Sequence, residues 1–151
     1  MTLADLKTKL KESLKDWKSR MAQAGVNSVY AFIASAALYP VVEALKQNDL
    51  SGLMMLGGIT ASVGTNLLAN MIQKWKDESD GAKQIEAAVK NDPALRAELD
   101  EVLEKLGALQ IARDLLSESD RGWFTKTMRD ELKKLGNEKK FESLIIGDHN
   151  I

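Results

Sequence analysis

The runs MAQAGVNSVYAFIASAALYPVV, residues 21–42, and LSGLMMLGGITASVGTNLLANMIQ, residues 50–73, decide the fold, because their 22 and 24 residues carry no charged side chain. Between them only Glu43, Lys46 and Asp49 bear charge. As a helix, either run would reach across a bilayer, since about 20 apolar residues cover the hydrocarbon layer. Together they read as a hydrophobic helical hairpin over residues 29–73, serving either as a buried core pair or as a membrane-inserting device. Their own side chains favour burial in water. Thr60, Ser62, Thr65, Asn66, Asn70 and Gln73 crowd the second run, and Gln23, Asn27 and Ser28 shorten the first. Amide and hydroxyl groups are costly in hydrocarbon unless paired.

Upstream, Thr2 with Asp5 has the form of a capping box, and Leu3, Leu6, Leu10, Leu14, Trp17 and Met21 recur at helical spacing. One amphipathic helix is predicted, ending at Gly25. Lys7, Lys11, Lys15 and Lys18 form a strip beside its apolar stripe, with Trp17 at the apolar centre. The strip reads as solvated stems and Trp17 as core, while a surface for a partner or for anionic lipid is the competing reading. Residues 1–24 hold six basic and three acidic side chains, a net of +3, against 21 basic and 22 acidic in the whole chain of 151. Acidic residues within the first helix dilute the local field, and the overall balance gives no case for nucleic acid.

Asn27 and Ser28 are placed to cap the helix of the first run, and Pro40 predicts a kink or break near Leu38 and Tyr39. Gln47, Asn48 and Asp49 supply a turn. A third helix over residues 51–76 contains Gly52, Gly57, Gly58 and Gly64, each costing about 1 kcal/mol of helix stability relative to alanine. Close backbone approach is the usual compensation. Gly57, Ala61 and Thr65 lie four apart on one face with Gly64 on another, so a tight crossing with the Ala-rich second helix is predicted.

Ile85 and Val89 mark a short helix over residues 82–90. Asp92-Pro93 is a start signal, Gly107 a bend, and Ser117 with Asp120 another N-terminus. The helix opened there carries Phe124, Met128, Leu132 and Leu135 and is closed by Gly136. From Asn137 onward, Leu144-Ile145-Ile146 and the turn residues Gly147-Asp148-His149-Asn150 read as extended. The expected architecture is all-α: one bundle of five or six helices over residues 1–136, with the hairpin at its centre, then an extended tail over residues 137–151. Helices 29–45 and 53–72 form the expected buried pair.

Chemistry is sparse. The chain has no cysteine and one histidine, His149, in the tail. Thiol nucleophiles and thiolate metal sites are therefore excluded, and no histidine is placed to activate a Ser or Thr. The stretch Gly57 to Thr65 is Gly-rich, but a phosphate loop needs a Lys after its last glycine, and Thr65 and Asn66 stand there. Glu98, Asp100, Glu101 and Glu104 read as a solvated helix face. Trp75, between Lys74 and Lys76, has an interfacial pattern, and Trp123 beside Phe124 suggests inter-helix packing. The expectation is a protein without enzymatic activity, cofactor or metal. With no secretory pattern behind Met1, it is expected in the cytoplasm.

The stretches Ala24-Gly25-Val26-Asn27-Ser28-Val29-Tyr30-Ala31-Phe32, Asn66-Leu67-Leu68-Ala69-Asn70 with Gln73-Lys74-Trp75-Lys76-Asp77, Asp92-Pro93-Ala94-Leu95-Arg96 and Gly147-Asp148-His149-Asn150-Ile151 together resemble an N-terminal helical region of large bacterial STAND-type signalling proteins, which carry a NACHT or related NTPase. That resemblance implies a helical adaptor or effector module in a conflict system, acting through a protein partner or self-association, with a further domain downstream. It carries over no catalytic residue, and the NTPase motifs themselves are absent. The resulting expectation is a non-enzymatic adaptor. The alternative is a membrane-active effector that inserts the hairpin.

Overall fold

The computed structural model describes residues 2–61, 67–75 and 81–146. Among these residues there is no strand, and the chain is all-α. Its helices are α1 (Leu3–Ser13), α2 (Trp17–Ala24), α3 (Val29–Lys46), α4 (Ser51–Ile59), α5 (Leu67–Trp75), α6 (Gly81–Asn91), α7 (Pro93–Leu106), α8 (Ala108–Asp114) and α9 (Glu118–Leu135). Two helical turns follow, Glu138–Lys140 of 3-10 type and Glu142–Ile146 of π type.

Most helix starts follow local chemistry. Thr2 and Asp5 close a reciprocal cap, each side chain accepting from the other's amide. Ser28, Asp92 and Ser117 accept from the amides of Ala31, Leu95 and Asp120. Gly107 and Gly136 take left-handed φ angles of 61° and 79° where α7 and α9 end, a conformation open to a residue without Cβ.

Helix α3 runs through the centre, touching α1 and every helix from α4 to α9. Pro40 neither breaks it nor ends it: α3 is continuous over 18 residues. Proline removes one backbone hydrogen bond. Here Leu38, Pro40, Val41 and Val42 are all buried, so packing on the surrounding helices holds the turn in place.

The expected first helix is two. Asp16 adopts φ 56°, a left-handed conformation that Asp tolerates better than most residues, and the chain turns between α1 and α2. The turn carries Trp17 into the core, where its indole Nε1 donates to the Ala112 carbonyl at 2.9 Å. The expected third helix is also divided: α4 stops at Ile59 and α5 begins at Leu67, with residues 62–66 outside the described part. Consequently the hairpin is not a pair of buried helices. α3 is buried, while α4 lies at the edge against α3, α5 and α7.

The expected extended tail is helical as far as Ile146, and residues 147–151 lie outside the described part. Phe141, Leu144 and Ile145 are buried, the Arg113 guanidinium donates to the Ile145 carbonyl at 2.9 Å, and Arg129 sits 4.6 Å above the Phe141 ring. An extended path would have left three large apolar groups in water with no sheet to join. The core therefore continues past residue 136.

Candidate functional site

Two kinds of feature stand out from ordinary packing: buried and half-buried carboxylates, and an exposed apolar face on α4. The carboxylates come first because their partners show what they do. Glu131 of α9 accepts from Ser28 Oγ at 2.8 Å, Val29 N at 2.9 Å and Tyr30 N at 3.1 Å, while Glu86 of α6 accepts from the amides of Asn27 and Ser28. Both thus close the N-terminus of α3, where unpaired amides and the helix dipole favour negative charge. Glu98 of α7 is 1% exposed and accepts from Leu67 N and Leu68 N, closing α5 in the same way.

Asp100, also buried, accepts from the Tyr30 hydroxyl at 2.7 Å and from Asn137 Nδ2 at 3.0 and 3.2 Å. Burial raises its carboxyl above the ordinary carboxylate value, opposed by those two hydrogen bonds and by the more distant Lys140 and Arg96. Burial and then Asp100 push the Tyr30 phenol well up. Asn137 Oδ1 is buried without a partner. Glu98 and Asp100 therefore correct the expectation of a solvated acidic face, for they are structural ties between distant helices. Among the described residues no group of three His, Cys, Asp or Glu side chains is placed to hold a metal ion.

The α4 face is different in kind. Met54 is 73% exposed, Leu50 at the helix start 55% and Tyr39 of α3 50%. Gly57, Gly58 and Ala61 are exposed as well, and a Cβ added at either glycine would meet nothing within 4 Å. The predicted tight crossing at Gly57 and Ala61 is therefore not made among the described residues. Gly64 and Thr65, its other two members, lie outside the described residues. Elsewhere, an open groove lies between α1 and α3, lined by Lys9, Glu12, Tyr39, Glu43 and Asp49 among others. A hydrogen bond to Glu43 raises the Tyr39 phenol, and the Ser51 amide lowers the Asp49 carboxyl.

The predicted basic strip is divided by the turn at Asp16. Lys7, Lys11 and Lys15 are exposed. Lys18 instead reaches α9, pairing with Asp120 at 2.9 Å and lying 4.6 Å over the Trp123 ring. Trp17 is 1% exposed, stacked on Trp123 and edge-on to Phe124, so it offers no surface in this conformation. Trp75 is likewise buried. Sequence reading treated α4 as core because its composition is apolar. The pairing of Gly57 with Gly58, read there as a close crossing, is the signal that pointed the other way, because, with methionines beside it, it supplies little volume for a core.

No family model matches this chain, and neither does any curated protein or solved structure.

Proposed function

We propose that this protein is a non-enzymatic interaction module whose contact surface is the exposed face of α4 with Leu50, Met54 and Tyr39. One observation carries the reading: an uncharged nine-residue helix stands at the edge of a well-packed domain with Met54 out. Contiguous exposed apolar surface marks contact sites, and methionine adapts to varied partners. An adaptor role in a bacterial signalling protein of the STAND or NACHT type, with a downstream domain, rests on the quoted sequence motifs alone, and a cytoplasmic setting is supported by the cysteine-free composition.

The reading as a membrane-inserting effector keeps one supporting observation. Val29–Lys46 is long and apolar enough to cross a bilayer, yet 67% of that segment is buried inside the fold. Insertion would require α3 to leave all of its neighbours, whereas docking through α4 requires no rearrangement.

A photo-crosslinking amino acid at position 54, in cells producing the protein, tests the proposal. Protein adducts at position 54, absent when the label sits at exposed Lys126 of α9, are expected. A folded protein that gives no position-specific protein adduct would overturn it, and lipid adducts at 54 would favour the membrane reading.

A further inference from the structure

We infer that residues 137–146 form a strap over α7 and α8 that swings as a unit about Gly136 and closes more tightly when Asp100 takes up a proton. The carboxyl that ties α7 to α3 is thus also the latch for the turns that follow α9.

Side chains from three elements make the latch. Asp100 of α7 accepts from the Tyr30 hydroxyl of α3 at 2.7 Å, and the Asn137 amide of the strap lies against both of its oxygens, at 3.0 and 3.2 Å. Past this point the strap holds on by few ties. Phe141, Leu144 and Ile145 are buried, Arg113 of α8 donates to the Ile145 carbonyl, and Arg129 of α9 covers the Phe141 ring. Its backbone forms one 3-10 turn and one π turn, packed on α7 and α8, instead of a continuous α-helix. Gly136, with φ 79°, ends α9 just before it and supplies the hinge. A short segment held in this way belongs to the parts of a fold that open at less than the global unfolding free energy.

Protonation decides how well the latch is satisfied. Closure leaves Asp100 only 4% exposed, which costs a carboxylate much and a carboxylic acid little. With the carboxylate in place, Asn137 points its NH₂ at Asp100 and leaves Oδ1 buried without a partner among the described residues. A carboxylic acid can donate to that Oδ1 once the amide turns over, while its other oxygen still accepts from Tyr30.

The surrounding charges do not reverse the sign. Arg96 on α7 and Lys140 on the strap lower the Asp100 carboxyl, but burial outweighs them. On α9, Glu131 is committed to the α3 amides and Arg129 to Phe141, and Arg113 of α8 is committed to Ile145. Tyr30 keeps its proton, because burial and then Asp100 push its phenol well up. Closure therefore gains in full below the ordinary carboxyl value of 3.8 and loses that gain as pH rises through the raised value. Glu104 acts in the opposite sense, since acid removes its pairing with Lys140. At 3.5 Å, with the lysine side chain 40% exposed, that pair is the weaker effect.

Native-state hydrogen exchange of the intact chain, corrected for the intrinsic pH dependence of exchange, tests the strap. Amides of residues 140–146 are expected to exchange through an opening that leaves α8 and α9 protected. Relative to α9, their protection should fall at least about threefold between about pH 4 and about pH 7. Asp100→Asn is neutral at every pH and should abolish the fall, whereas Glu104→Gln should keep it. Strap amides that exchange only with global unfolding would overturn the inference, as would protection in the parent that does not fall with pH. Both of these readings need no variant. A fall that persists in Asp100→Asn, or is lost in Glu104→Gln, would overturn it too.

Discussion

α3 and α4 are neighbours drawn mainly from the two uncharged runs, yet one is buried along most of its length and the other is left half open. Side-chain volume separates them. α3 offers Tyr30, Phe32, Ile33, Leu38, Val41 and Val42 around its circumference, enough to hold seven helices against it. α4 offers three glycines and two methionines in nine residues, and only Gly52 and Leu56 are buried. Lack of charge permits burial; bulk and shape bring it about.

The contrast can be broken most forcefully by truncation. Leu38→Ala in α3 should cost about 2–5 kcal/mol in urea unfolding, whereas Met54→Ala in α4 should stay within about 0.5 kcal/mol. Similar losses at the two sites would erase the distinction. Next in size is the remote cap: Glu131→Ala leaves the Val29 and Tyr30 amides without their partner and should cost about 2 kcal/mol. Glu12→Ala, at an exposed site of α1, serves as the neutral control.

A pH series sharpens the same comparison at the α3 end held by Tyr30. Asp100 has a folded value above its ordinary 3.8, so the protonated form is favoured by folding. Its contribution is complete below 3.8 and is lost as pH rises through the raised folded value. Asp100→Asn should remove that decline. The new amide can still accept from the Tyr30 hydroxyl, and a half-turn of the Asn137 side-chain amide, whose Nδ2 faces Asp100, would bring the orphaned Oδ1 to the new NH₂. Stability near neutral pH should then rise by about 1 kcal/mol over the parent, with the gap closing at low pH. A parallel pH dependence in parent and variant would refute this. Smallest is Gly57→Ala, expected to stabilise the monomer by about 0.5–1 kcal/mol through helix propensity. A destabilised variant would mean that α4 already makes a close contact within the chain.

Features legible in sequence were those settled within a few residues. The Thr2–Asp5 cap, the Ser28, Asp92 and Ser117 starts and the Gly136 stop all depend on partners three or four positions away. The all-α class followed from the same periodicity. Illegible features depended on distant partners. The break at Asp16 is supported by Trp17 reaching Ala112, 95 residues on, and by Lys18 reaching Asp120. Burial of Glu98 and Asp100 required knowing that the starts of α3 and α5 would lie beside α7. Residues 137–151 looked extended because Leu144, Ile145 and Ile146 favour strands, but a strand without a partner loses to a conformation that buries Phe141, Leu144 and Ile145. The α4 surface was misread for the opposite reason: its apolar composition suggested burial, and only the surrounding packing shows that the core was already full.

The carboxylates at the start of α3 have a consequence for biosynthesis. Glu131 follows Val29 by 102 residues. At about 5–20 residues per second, the ribosome would expose this helix for about 5–20 s before its last cap is translated. During that interval the most apolar segment of the protein is a nascent chain seeking cover, so chaperones or the insertion machinery have their chance at it before the native neighbours do.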